Sequence, residues 1–302
     1  MSNWLLVVYR DWLVHIVHRL KLELLKQRYL HIDETHVQVL KEPGRKNTSD
    51  SYMWVYCSIR DAVNPIRYFE YQPGQSGKYP EAFLREYEGY IHTDAYSGYN
   101  AVSGVKRCLC YTHLRRAFVD ALPKDIHNSE ASKPAEAILR LNQLFNIESE
   151  LEALPPDQKK KERLIREKPL LEAFWSWAEK SAIGELPKSK LSKAFHYALN
   201  NREGFWNYLE DGNCSISNSL AENCIRPFVI GRKNWLFSGS PKGAEASAGI
   251  YTLVETAKAN GLAPMKYIKY ILSDMPGSAF LEHPEYLDDY LPWNPLVKEF
   301  CR

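Results

Sequence analysis

Three acidic residues stand where metal-dependent chemistry could be carried out. Asp33 sits inside the apolar run Leu30-His31-Ile32-Asp33-Glu34-Thr35, Asp94 follows Gly89-Tyr90-Ile91-His92-Thr93, and Glu222 lies in Ser219-Leu220-Ala221-Glu222. Side chains alternate along a strand, so Asp33 and Glu34 face opposite sides and one of them points toward a covered face. An unpaired carboxylate is costly there, so a carboxylate bonded to backbone or to an arginine is the plain alternative to catalysis. For Asp94 the plain alternative is a helix N-cap. For Glu222 it is a capping box with Ser219, or an i,i+4 pair with Arg226. Together the three suggest more. Carboxylates on separated elements of one sheet can hold two Mg²⁺ ions, hard cations that take oxygen ligands and keep positions open for water and phosphate. Two such ions about 4 Å apart activate an attacking oxygen and stabilise a leaving one in phosphodiester chemistry.

Other constellations are weaker. Cys108, Cys110 and His113 invite a zinc reading, but a fourth ligand is needed and no second Cys/His pair has finger spacing, so packing of Cys110 and His113 near a sheet end is the favoured reading. Arg115 and Arg116 either touch phosphate or lie on a solvated helix face. Arg232 and Lys233 are stronger candidates for phosphate, since Lys233 falls about three helical turns after Glu222. Pro227 between them is expected to kink or end that helix. Trp235 either stacks on a base or belongs to the core. The run Lys159-Lys160-Lys161 reads as a solvated helix face.

The elements that would position these residues are legible from periodicity. Trp4, Val8, Trp12, Ile16, Leu20 and Leu24 recur every fourth position and predict one amphipathic helix over about 3–27. Strands are expected over Tyr29–Leu40, Tyr52–Ile59 and Ile66–Tyr71, the last two joined at Asn64-Pro65. A helix over Glu81–Tyr87, a short buried strand over Gly89–Thr93 and a further strand over Lys106–Tyr111 follow. About a hundred residues of helical texture come next, with Pro155-Pro156 closing one helix and Leu191, Phe195, Ala198 and Leu199 marking another. Helix signals return from Ser217, stop at Asn260-Gly261 and resume at Pro264, and the proline-rich last thirty residues read as an extended tail. Strands mixed with helices predict an α/β or α+β layer architecture.

Composition bounds the function. The chain has 302 residues, 45% hydrophobic and 25% charged, the profile of a folded globular protein. Its 39 Lys+Arg against 37 Asp+Glu leave +2, which excludes a histone-like binder and requires any DNA contact to come from local basic patches. Six cysteines are too sparse for a disulfide scaffold, and the opening apolar run Leu5–Tyr9 is cut by Arg10 and Asp11, so a reduced, cytoplasmic protein without a membrane span is expected.

Several of these segments resemble one family. Tyr29-Leu30-His31-Ile32-Asp33-Glu34-Thr35 and Thr93-Asp94-Ala95-Tyr96-Ser97-Gly98-Tyr99-Asn100 resemble the two aspartate blocks of the transposase family of insertion sequence 66. Leu220-Ala221-Glu222-Asn223-Cys224-Ile225-Arg226-Pro227, continuing into Gly231-Arg232-Lys233-Asn234-Trp235-Leu236-Phe237 and later Glu255–Leu262, resembles its glutamate block, and Cys110-Tyr111-Thr112-His113 with Arg115, Arg116 and Phe118 its Cys-x-x-His block. The blocks fall in family order across most of the chain. The resemblance implies a DDE transposase with a ribonuclease H-like mixed sheet, flanking helices and an all-helical insertion. It implies Asp33, Asp94 and Glu222 as both catalytic and metal-binding triad, with Mg²⁺ (or Mn²⁺ in its place) as cofactor. In that chemistry water frees 3′-hydroxyls at the element's ends and these attack target DNA. Double-stranded DNA, both transposon end and target, would be the partner, with contacts expected from Arg115, Arg116, Arg226, Arg232, Lys233 and Trp235, and a homodimer would join two ends. Three positions depart from the family pattern: Ser219 for its usual Asn, Asn223 for Arg and Ala95 for Gly, of which Asn223 subtracts a positive charge beside the site. The family's zinc-binding and DNA-binding segments lie ahead of the position of Trp4, and this chain reads as starting after them. The expected organisation is an N-terminal helix (1–28), a first part of the catalytic core (29–111), the helical insertion (112–211), a second core part with the Glu222 helix (212–272) and the tail (273–302). A simple metal-dependent nuclease of the same fold, or a degenerate remnant that only binds DNA or a partner, stays open as an alternative.

Overall fold

A computed structural model describes residues 3–123 and 132–302. The predicted first helix is a continuous helical run to Leu25, made of α1 (Asn3–Val8), a π-helical stretch over Tyr9–Leu13 and α2 (Val14–Leu25). The wider π turn shifts the phase of the apolar stripe. Leu13, Ile16, Val17, Leu20 and Leu24 are buried, while Trp4 and Val7 of the first turns stay exposed. Three strands follow, β1 (Tyr29–Val39), β2 (Asp50–Ser58) and β3 (Arg67–Gln72), within two residues of their expected ends. The next helix, α3 (Lys78–Phe83), lies earlier than predicted, because Glu86 takes a left-handed conformation (φ 64°) that a helix cannot continue through. β4 (Gly89–Thr93) matches its prediction, but β5 (Val105–Leu109) ends before Tyr111, since the Cys110 N–H bonds Thr93 O (3.1 Å) and Cys110 caps α4 (Tyr111–Val119).

The helical stretch comprises α5 (Lys133–Glu150), α6 (Pro156–Ala182), α7 (Lys190–Asn200) and the short α8 (Arg202–Trp206). Pro156 opens α6, the first-turn position where a missing N–H costs nothing. Then come α9 (Ser219–Trp235), the two-residue β6 (Phe237–Ser238), α10 (Pro241–Ala259), α11 (Pro264–Asp274) and α12 (Pro295–Cys301). Pro227 lies inside α9 and does not end it. The carbonyl it leaves without an N–H belongs to the exposed Asn223 and can bond water, while Ala221, Ile225 and Phe228 hold both halves of the helix on the core. The last thirty residues are not an extended tail. Pro276, Pro284 and Pro295 each sit in the first turn of a helical segment (3-10 turns Met275–Gly277 and Pro284–Tyr290, then α12), where their fixed φ is pre-organised. Tyr290, Val297 and Cys301 are buried there, and Asp288 pairs with Arg19 of α2 at 2.6 Å. Among the described residues no helix is long and apolar enough to cross a membrane.

The fold is mixed α/β, as predicted, and the chain divides into two compact units. The first contains residues up to 89 together with 98–104 and 220–302. β1 pairs antiparallel with β2, with Asp33 opposite Val55; β2 pairs antiparallel with β3; and β6 adds to β1 in parallel. One face of this sheet carries Val37, Val39, Met53, Val55, Cys57 and Phe69 beneath α9 and beneath Ala244 and Ala248 of α10. The other is covered too: Tyr56 stacks on Phe83 of α3 (centroids 3.6 Å apart) and Trp54 meets Tyr99 edge-on. Burial on both faces explains why Met53–Cys57 is an unbroken apolar run. The outer edge of β3 is closed by α10, whose Thr252 and Thr256 hydroxyls accept the Phe69 and Arg67 N–H groups at 2.8 and 3.0 Å.

The second unit contains residues 90–97 and 105–219, with β4 and β5 paired and α4 to α8 beside them. Its core is aromatic: Phe118 meets Phe174 and Phe195, and Tyr111 meets Phe205 and Tyr208. Within it lies an ion cluster. Arg163 of α6, with 0% exposure, donates to both oxygens of Glu148 (2.5 and 2.8 Å) and to the carbonyls of Tyr208, Asp211 and Cys214. Lys159, expected on a solvated face, instead reaches this cluster, 3.3 Å from Glu148, because it lies one turn ahead of Arg163 on the same face of α6.

Candidate functional site

The register of β1 decides which way its two acids point. Asp33 shares a face with Val37 and Val39, the face covered by α9, and its Oδ1 accepts the Glu34 N–H at 3.0 Å. Glu34 points to the opposite face, where Gln75 Nε2 (2.8 Å) and the Tyr99 hydroxyl (2.5 Å) donate to it. Both carboxylates are therefore hydrogen-bonded, Asp33 to backbone as foreseen and Glu34 to side chains on the opposite face. Helix α9, lying on the Asp33 face through Ala221, Ile225 and Phe228, carries the half-buried Glu222 in its first turn. Ser219 is the first residue of that helix rather than its N-cap. Close by on the same helix, Cys224 hydrogen-bonds the buried Cys57 of β2.

Asp94 lies just past β4 in the second unit. Its Oδ1 accepts the Tyr96 N–H (2.9 Å), closing a local turn rather than capping a helix as foreseen, since the 3-10 stretch that follows begins only at Ser97. Arg107 of β5 pins that turn from three sides, donating to Thr93 Oγ1 (2.7 Å), Asp94 O (2.6 Å) and Tyr96 O (2.8 Å). Tyr197 of α7 is close enough that, after burial, the charge of Asp94 raises its hydroxyl's proton affinity. Cys110 and His113 are hydrogen-bonded to each other at the start of α4. Burial pushes the Cys110 thiol up, but His113 and the Asn218 N–H (3.1 Å from Sγ) outweigh it and favour the thiolate.

The six expected DNA contacts divide by environment. Arg116, Arg226 and Lys233 are exposed. Arg115 donates to Asn142 of α5 at 2.7 Å. Arg232 is turned inward, donating to Thr35 Oγ1 (3.1 Å) and to the His36 carbonyl of β1. Trp235 packs edge-on against Phe228 at the margin of the first unit's core.

Residues 1–246 match the family model described as Transposase IS66 family, and 252–293 match the IS66 C-terminal element. The chain belongs to the IS66 transposase family. Among curated relatives, it is 27% identical to the uncharacterized protein y4hP of Sinorhizobium fredii over 87% of this chain and 50% of that one, and 28% identical to y4qI of the same organism over the same shares. A third, y4jD, is 25% identical over 94% of this chain and 57% of its own length. The chain thus spans about half the length of the curated IS66 relatives it matches. No solved structure matches it.

Sequence reasoning missed three participants around the IS66 aspartate and Cys-x-x-His blocks. Arg107 and Tyr197 sit among ordinary polar residues of a strand and a helix, and only the folded chain brings them to Asp94. Cys214, far from Cys108 in sequence, joins it and His92 in a buried cluster that no spacing rule announces.

Proposed function

We propose that this chain is the catalytic region of an IS66-family DNA transposase, with Asp33, Asp94 and Glu222 as its carboxylate triad. The observation that carries the reading is the register of β1: it turns Asp33 onto the face of the sheet covered by α9, the helix that bears Glu222. An all-carboxylate donor set suits a hard divalent cation, Mg²⁺ or Mn²⁺, which when bound supplies an activated attacking oxygen and a stabilised leaving oxygen on DNA. The chain's own residues do the positioning. Arg107 holds the backbone of the Asp94 turn, so that carboxylate is presented in one orientation. Arg232 anchors the C-terminal part of α9 to β1 through Thr35 and His36, a role in positioning rather than in direct phosphate contact. The exposed Arg226 and Lys233 on α9 and the exposed Arg116 on α4 are the groups that meet DNA phosphates, with the half-buried Arg115 as a further candidate on α4. Trp235, two residues after Lys233 on α9, contributes an edge to a DNA base or sugar. The protein acts on double-stranded DNA in the cytoplasm, as a homodimer when two ends are joined.

The test is incubation of the chain with element-end DNA and Mg²⁺ or Mn²⁺. Metal-dependent release of 3′-hydroxyl ends that vanishes in Glu222→Gln, at unchanged thermal stability, supports the reading. Joining of those ends to target DNA separates a transposase from a nuclease. A folded wild-type chain with no metal-dependent cleavage overturns the catalytic reading in favour of a DNA- or partner-binding remnant.

A further inference from the structure

His92 at the end of β4, Cys108 in β5 and Cys214 in the segment between α8 and α9 converge inside the second unit. All three are about 1% exposed, and their ligating atoms lie within 4.8 Å of one another. Around a tetrahedral zinc ion, with Zn–S near 2.3 Å and Zn–N near 2.0 Å, such atoms stand roughly 3.5–3.8 Å apart, inside the 4.8 Å within which these three already lie. The Ser215 N–H donates to His92 Nε2 at 2.8 Å, which identifies Nε2 as the unprotonated nitrogen, the form of imidazole that ligates a metal. Cys108 and Cys214 are hydrogen-bonded to each other, so both sulfurs already face one point.

From this convergence we infer that His92, Cys108 and Cys214 form a binding site for a thiophilic divalent cation of the zinc class, separate from the carboxylate triad. Two thiolates and a neutral imidazole around a divalent ion carry no net charge, so the loaded cluster suits a buried position better than an isolated thiolate does. Sulfur donors select against Mg²⁺, which keeps the two sites chemically distinct. The ion takes over the Nε2 lone pair from the Ser215 N–H, and the fourth position falls to water, which leaves the cluster neutral. The helical stretch α4 to α8 lies between Cys108 and Cys214 in sequence, so the ion would clip the root of that stretch to the strand that runs into Asp94. The inference does not depend on the transposase reading.

The experiment is titration of the full chain, reduced and stripped of metal, with Cd²⁺ in excess Mg²⁺, read by thiolate-to-metal absorption and by thermal melting. One equivalent is expected to bind and raise the melting temperature. The absorption should be lost in Cys108→Ser and in Cys214→Ser, weakened in His92→Gln, and retained in Cys301→Ser, whose thiol lies in α12. Because serine variants in a core can fail to fold, X-ray absorption of the zinc-loaded wild type supplies a second reading: two sulfur neighbours support the site. An oxygen- or nitrogen-only shell, no stoichiometric binding, or binding that survives in a folded Cys214→Ser chain overturns it.

Discussion

Replacing Arg163 by Met tests how the helical unit is held together. The guanidinium is fully buried and makes two bonds to Glu148 and three to the carbonyls of Tyr208, Asp211 and Cys214, so one side chain of α6 anchors both α5 and the segment leading toward α9. Methionine fills much of the volume but leaves the Glu148 carboxylate, 9% exposed, with Lys159 at 3.3 Å as its remaining cation. Removing one partner of a buried pair costs about 3–5 kcal/mol, mostly through the charge left behind. The exposed side of Lys159 offsets about 1 kcal/mol of that. The net expectation is a loss of roughly 3 kcal/mol, or about 6–12 °C in melting temperature for a unit of this size. Urea and thermal melts followed by circular dichroism measure it. Two further readings make the reasoning specific. Arg163→Met with Glu148→Leu should be more stable than Arg163→Met alone, because the stranded charge has gone. The deficit of Arg163→Met should also shrink toward acid pH. Arg163 holds Glu148 below the usual carboxylate range against the opposing effect of burial, a contribution present at neutral pH and lost as pH falls, whereas the unpaired carboxyl of the variant simply protonates. A loss under about 1 kcal/mol, or a double variant worse than the single, refutes the account.

Glu167 predicts the opposite pH dependence. Burial first, then the neighbouring Glu148 charge, raises its carboxyl to about 8, against the Tyr208 hydroxyl, which donates to its Oε2 at 2.6 Å. Its stabilising contribution is complete below about pH 4.5 and drains away as pH rises through about 8, so Glu167→Gln should gain on the wild type between about pH 5 and 9 in thermal melts; a constant difference contradicts this. Asp94→Asn keeps an oxygen to accept the Tyr96 N–H, so its melting should match the wild type while Mn²⁺ binding, followed by electron paramagnetic resonance, and DNA cleavage fall at least about 100-fold. A stable variant that cleaves normally removes Asp94 from the triad. Gly212→Ala would place a Cβ 1.9 Å from the Pro156 carbonyl oxygen, a backbone atom that cannot swing aside, so a loss of about 2–4 kcal/mol is expected in urea melts, against near-neutrality if the segment can shift.

Much of the architecture was legible because it rests on local rules. The apolar period of the first helix, the β-branched run of β1, the proline starts of α6 and α11 and the stop at Asn260-Gly261 express backbone preferences that act within a few residues. The acidic blocks were legible as well, since the family's residues keep their order along the chain. The errors have a common cause. The tail was read as extended because prolines break helices; in the folded chain Pro276, Pro284 and Pro295 each begin a helical turn, and Tyr290, Val297 and Cys301 hold the region in place by burial. Of the two outcomes expected for Pro227, a kink or an end to α9, the structure excludes the end, because packing of Ala221, Ile225 and Phe228 on the sheet outweighs its local cost. Lys159 was assigned to water, and a buried glutamate from another helix claimed it.

The sequence by itself determined which residues could do chemistry and which segments fold into strands and helices, because side-chain type and local periodicity are written position by position. Only the tertiary structure decided that Asp33 rather than Glu34 faces α9, that Arg107 holds the Asp94 turn, and that His92, Cys108 and Cys214 meet. Those outcomes depend on strand register and on contacts between segments far apart in the chain, where burial and pairing, not local preference, set the energy.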